Sequence, residues 1–98
     1  MMAIKYGFLP VGSIVLLKEA KRKVVVIGYA IKEVDNTKIW DYLGAPYPIG
    51  VISSEKNLLF DKTDIDDVYF LGYQDDECKD FLDELDSNIK RIKIDGNN

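Results

Sequence analysis

At 98 residues, 47% hydrophobic and 31% charged, the chain has the composition of one folded domain with a modest core and little room for a deep catalytic cleft. Its net charge of −4 and pI near 4.7 argue against sequence-independent nucleic-acid binding, which needs a positive surface. A single cysteine, Cys78, excludes an internal disulfide and a thiolate zinc site, and no apolar run is long enough to cross a bilayer as a helix.

Residues 1–12 read as a lead-in punctuated by Pro10 and Gly12. They lack the long apolar stretch of a signal peptide, so a cytoplasmic location is expected. The run Ser13–Lys18 predicts a strand, and its unbroken apolarity predicts burial on both faces or a strand that curls. Glu19–Lys23 is a charged turn, and Val24–Ile31 is too rich in β-branched residues for a helix. Together they predict an antiparallel hairpin, with Gly28 marking a bulge or sharp bend.

A polar turn centred on Asp35-Asn36 leads to a third strand, Ile39–Leu43, which puts Ile39, Asp41 and Leu43 on one face and Trp40 and Tyr42 on the other. Gly44–Gly50 is expected to be a loop stiffened by Pro46 and Pro48, with Tyr47 packed inward. The alternative is an aromatic and proline surface that receives a peptide. The segment 57–72 reads as strand, turn, strand: Asn57–Phe60, then Asp61–Asp67 as a turn or single helical turn, then Val68–Gly72.

The clearest helix starts at Asp75 and ends by residue 92, leaving 93–98 as a frayed tail. Cys78, Phe81, Leu82, Leu85, Ile89 and Ile92 make one stripe at helical period. Asp75 and Asp76 in the first turn and Lys90 and Arg91 in the last complement the helix dipole.

Catalytic chemistry is not legible. There is no histidine, the commonest general base and metal ligand. Asp64, Asp66 and Asp67 lack the spacing, glycine and distant glutamate of a calcium loop, and a turn-capping role is expected. Cys78, on the apolar stripe beside an acidic helix start, reads as a buried inert thiol. No glycine-rich phosphate loop occurs, and Ser53-Ser54 has no base beside it. No enzyme activity, cofactor or metal site is therefore expected.

Charge is unevenly spread. Residues 61–86 hold 11 of the 17 acids and carry a net −9. They read either as a solvated helix face or as a surface for a basic partner. Lys21, Arg22 and Lys23 form the one basic cluster, at a hairpin tip. Nucleic-acid binding there would need flanking aromatics on the same face. The candidate partner-binding residues are Trp40, Tyr47, Asp76, Asp80 and Asp83.

Four segments resemble a bacterial family known as domain of unknown function 4176. They are Leu9-Pro10-Val11-Gly12-Ser13 with its apolar strand, Ile27-Gly28, the loop Tyr42-Leu43-Gly44-Ala45-Pro46-Tyr47-Pro48-Ile49-Gly50, and Phe60 with Asp64-Ile65-Asp66, Val68 and Gly72-Tyr73 ahead of an acidic helix. The resemblance spans about residues 9–85, and its most specific part is the Pro-Tyr-Pro loop. It implies a small cytoplasmic accessory of type VII secretion in Gram-positive bacteria, a chaperone or adaptor for LXG-type toxins, whose partner is a toxin or its targeting factor. It brings no catalytic residues with it.

The fold expected is a single α+β domain, mainly β: a small bent antiparallel sheet of about five strands, with an SH3-like barrel among the forms it permits, and one C-terminal amphipathic helix. The helix stripe is expected to pack on the sheet. A protein-binding accessory is the first expectation for function, and a small β-barrel nucleic-acid-binding regulator is the alternative.

Overall fold

Strands form where the β-branched and aromatic runs lie, and the chain's one heptad-spaced segment forms the helix. The computed structural model describes residues 7–18, 20–32 and 38–96. The strands are β1 Ile14–Leu17, β2 Lys23–Lys32, β3 Ile39–Pro46, β4 Leu58–Phe60 and β5 Ile65–Phe70, followed by α1 Asp76–Gly96. All pairings are antiparallel, in the order β4-β3-β2-β1-β5. The domain is thus one open five-stranded sheet with a C-terminal helix.

The sheet must bend. Strands β4 and β5 are its opposite edges, yet only Asp61–Asp64 connect them, with a 3-10 turn at Lys62–Asp64. Four inter-strand steps across a flat sheet span ~19 Å. Four residues that include a 3-10 turn reach at most ~14 Å. Curling the sheet removes the shortfall. Two irregularities help: Val26 and Gly28 of β2 pair with successive residues Gly44 and Leu43 of β3, so Ile27 is the extra residue of a bulge beside the predicted Gly28. Ala30 adopts a positive φ of 53°. The curl stops short of a closed SH3-like barrel, because β4 and β5 form no ladder with each other among the described residues.

The concave face is the core. Val15, Val24, Val26, Tyr42, Phe60 and Ile65 point into it, and Phe8, Leu9, Leu82 and Ile89 cover it. On α1, Cys78, Leu82, Leu85 and Ile89 form the packed seam, at spacings of four, three and four. Phe81 falls off that seam and is exposed, with its ring 5.9 Å from that of Tyr29. Cys78 is only half-buried. At the helix start the Cys78 N–H donates to the Asp75 carboxylate at 2.9 Å, which satisfies one orphan donor.

Two tyrosines clasp the lead-in to the sheet. The Leu9 N–H donates to the Tyr42 hydroxyl at 2.8 Å, and the Tyr29 hydroxyl donates to the Leu9 carbonyl. Phe8 meets both rings edge-on, and Tyr42 stacks on Phe60 at 5.1 Å. Burial pushes both phenols up, that of Tyr29 to about 12, so both are neutral hydrogen-bonding groups at ordinary pH.

The connector between the sheet edges is held by carboxylates. Asp61 and Asp64 form a capping box, Asp41 N–H donates to Asp61 Oδ1, and Lys62 N–H donates to Asp41 Oδ2. Lys62 Nζ then reaches Asp86 of α1 at 2.8 Å and lies 4.2 Å from the centre of the Phe8 ring. One side chain therefore ties connector, helix and lead-in together.

Several expectations need correction. Strand β3 does not stop at Leu43 but continues through Gly44, Ala45 and Pro46, because it pairs with β2 as far as Val24. The loop expected over Gly44–Gly50 is reduced to a tight turn at Tyr47–Ile49, closed by Gly50 N–H donating to the Pro46 carbonyl at 2.7 Å, with a cis Tyr47–Pro48 peptide. Tyr47 is 38% exposed and not packed inward, since the turn carries it past the end of the sheet. Asp41 and Tyr42 are both buried: Tyr42 enters the core, and Asp41 turns to the connector. The helix continues to Gly96, so Lys90 and Arg91 lie in its body, where Lys90 pairs with Asp86 at 3.2 Å. The Asp35-Asn36 turn, Glu19 and the Ile92 side chain lie outside the described residues.

Candidate interaction surface

Strand β5 is built to present aromatic side chains outward. Its ladder with β1 slips twice, pairing Leu17 with Ile65, Leu16 with Asp67, Val15 with Val68 and Ile14 with Phe70. Asp66 and Tyr69 are the extra residues of two bulges. Paired residues share a face of the sheet. Val68 follows Val15 inward, Phe70 follows Ile14 outward, and the bulge at Tyr69 lets two adjacent aromatics stand on the outer side. Both are more than half exposed. Leu71 and Tyr73 extend the exposed run towards α1.

The Pro-Tyr-Pro turn meets this ridge through one lysine. Tyr47 N–H donates to the Lys23 carbonyl at 3.1 Å, fixing the turn to the start of β2. Lys23 Nζ lies 4.9 Å from the Tyr69 ring centre and 5.8 Å from that of Tyr47. An ammonium between two ring faces is held by their quadrupoles, at about 0.5–1 kcal/mol per contact at an exposed site. Ile49, Val51 and Ile52 continue the apolar surface beyond Tyr47, each more than half exposed. Isolated exposed hydrophobics are ordinary; a run of them beside an aromatic pair makes this a candidate interaction surface.

The predicted partner-binding residues do not form one site. Tyr47 belongs to the ridge, but Trp40 sits near the opposite end of β3, half-buried, with Lys38 Nζ 4.0 Å from its ring centre. Asp76, Asp80 and Asp83 are exposed on α1, and none has an ion pair among the described residues. Asp83 also lines a groove of about 250 Å³ with Gly7, Phe8, Gln74, Lys79 and Leu82, less space than a typical small-molecule pocket. Asp64 is committed to the capping box, while Asp66 and Asp67 lie on β5. Among the described residues no three acidic, histidine or cysteine side chains are placed to hold a metal ion. Sequence reasoning missed Tyr69 and Phe70 and placed Lys23 only in the basic hairpin tip; the available signal was the aromatic pair within an otherwise ordinary strand.

The family described as Domain of unknown function (DUF4176) matches residues 8–81. The chain belongs to this family. No curated protein and no solved structure matches it. Among the described residues no helix is long and apolar enough to cross a membrane.

The geometry gives the segments that carry the resemblance physical roles. Leu9 is the residue clasped by the two tyrosines, and Ser13, fully buried, accepts the Gly72 N–H at 3.0 Å. A Cβ on Gly72 would stand 2.1 Å from the Val11 carbonyl oxygen, so the Gly72-Tyr73 pair lets backbone pass over backbone. A Cβ on Gly44 would stand 2.3 Å from Val24 and 2.8 Å from Phe60, so the Tyr-x-Gly step leaves space for the Phe60 ring. Tyr47, like Ile49 and Tyr73 in these segments, fills no internal role of this kind.

Proposed function

We propose that the chain is a non-enzymatic protein-binding accessory, a chaperone or adaptor that acts in the cytoplasm for type VII secretion of LXG-type toxins. The observation that carries the protein-binding part is the exposed aromatic corner of Tyr47, Tyr69 and Phe70 around Lys23, continued by the aliphatic run at Ile49, Val51 and Ile52. A hydrophobic surface of this kind on a small domain is suited to a macromolecular partner. The secretion setting is supported by the family resemblance of the Leu-Pro-x-Gly-Ser and Pro-Tyr-Pro segments. Co-expression with a toxin or targeting factor encoded beside it, followed by affinity purification, tests the proposal. A stable complex is expected, and failure to retain any neighbouring gene product would refute the secretion role.

A nucleic-acid-binding regulator is the second reading, favoured by one observation. Lys23 is flanked by Tyr47 and Tyr69, the combination of cation and stacking ring that single-stranded nucleic acid uses. A low-salt gel shift decides it, and no retardation at high protein concentration ends the idea.

A further inference from the structure

The charge at the aromatic corner specifies the partner further. Lys21 and Arg22 are exposed at the turn before β2, next to Lys23, and none of the three has an ion pair among the described residues. Lys23 therefore lies against the rings of Tyr47 and Tyr69, with Lys21 and Arg22 beside it in the chain. The helix acids Asp76, Glu77, Asp80, Asp83 and Glu84, which have no ion pair among the described residues, belong to a different element. We infer that this corner docks an acidic, amphipathic segment of a partner protein, whose apolar side chains cover Tyr47, Tyr69 and Phe70 and whose carboxylates meet Lys23, Lys21 and Arg22. The inference rests on the protein-binding reading above and names the chemistry of the partner.

Three physical points select this occupant. A segment adding to the sheet as a sixth strand would meet two bulges within the six residues of β5, which interrupt the regular spacing of backbone groups that strand addition needs. Nucleic acid would meet Ile49, Val51 and Ile52 beside Tyr47, which offer no stacking plane. A second copy could offer its acidic helix, but that contact is head-to-tail: it leaves a free corner at one end and a free helix at the other, and grows an open assembly unless the rotation closes a ring. A carboxylate of another protein at Lys23, by contrast, gains an ammonium already positioned by two rings, in a setting that the apolar contacts dry.

The test uses the full chain and three fluorescein-labelled probes: a peptide of repeated Leu-Glu-Glu-Leu, its counterpart with lysine for glutamate, and oligothymidylate. Anisotropy should show binding of the glutamate peptide, weakened at least about tenfold by Lys23→Glu and by Tyr69→Ser and unchanged by Asp80→Lys on the helix. Lys23, Tyr69 and Asp80 are exposed, and circular dichroism verifies that each variant folds. Preference for the lysine peptide, Lys23-dependent binding of oligothymidylate, absence of glutamate-peptide binding, or equal binding by the variants each overturns the inference. So does an oligomer in sedimentation that Lys23→Glu disperses. Co-purification of a neighbouring toxin that survives Lys23→Glu and Tyr69→Ser intact also overturns it, while leaving the protein-binding reading in place. Wild-type protein that binds the glutamate peptide but retains no neighbouring gene product removes the secretion role and supports the docking chemistry.

Discussion

Replacing Tyr42 with phenylalanine removes one oxygen and tests the clasp that holds the lead-in. The ring is fully buried and stacks on Phe60, so Tyr42→Phe keeps the packing of the core. What is lost is the acceptor for the Leu9 N–H, 2.8 Å away, and Leu9 is itself only 7% exposed. A buried donor left without a partner costs about 1–3 kcal/mol. For 98 residues the unfolding entropy is about 0.2 kcal/mol/K, so Tm should fall by about 5–15 °C. Tyr29→Phe removes the donor to the Leu9 carbonyl and a backbone hydrogen bond with Val11 at a half-buried position, where water can substitute; about 0.5–1.5 kcal/mol is expected. Urea unfolding of both single variants and of the double variant gives the coupling between them. A Tyr42→Phe loss under about 0.5 kcal/mol would refute the clasp, because the N–H would then be satisfied in some other way.

Three further perturbations probe other parts of the fold. Gly72→Ala drives a methyl group into the Val11 carbonyl, and a loss of about 1–3 kcal/mol in urea unfolding is expected; a neutral result would contradict the close backbone crossing. Ala30→Val places a β-branched residue at φ 53° and should lower Tm more than Ala30→Gly, which relieves about 1–2 kcal/mol of left-handed strain while giving up a methyl contact; the reverse order would exclude a strained Ala30. Asp86 is held below its ordinary carboxyl value chiefly by the Lys62 hydrogen bond, against the opposing effect of burial and with help from Lys90. A lowered folded-state value means its contribution is full above the unfolded value and is lost as pH falls through the folded one. Thermal melts from neutral to acid pH should therefore show a drop below about pH 4 that is smaller in Asp86→Asn, and identical profiles would rule the triad out.

Residues whose role is set by period or by local chemistry were legible in the sequence. The seam of α1 follows from the spacing of Cys78, Leu82, Leu85 and Ile89, and the hairpin of β1 and β2 from their β-branched runs and the charged turn between them. The bulge beside Gly28 was legible for the same reason. Features decided by a partner strand were not. Whether β3 ends at Leu43 or Pro46 depends on how far β2 extends beside it, and that pairing turned Tyr47 outward. The two slips of β5 against β1 have no glycine to announce them, and they alone put Tyr69 and Phe70 on one side. Strict strand alternation puts such neighbours on opposite faces, so the aromatic corner is visible only in the register.

The same contrast separates what maintains the fold from what is free to act. Leu9, Ser13, Tyr42, Gly44, Phe60, Asp64 and Gly72 all lie in the segments that carry the family resemblance, and each is used up internally by a clasp, a cap or a close approach. A residue fully engaged in this way cannot also contact a partner without loosening the core. Tyr47 lies in one of those segments and yet faces solvent, so the turn at Tyr47–Ile49, like Tyr73, is a part of them that a partner can reach. Its one polar link inward is the backbone bond to Lys23, the residue that also joins it to Tyr69. A change at Lys23 should therefore alter the recognition surface while leaving the buried clasp intact, and a loss of partner binding at unchanged Tm is the result that this division of labour requires.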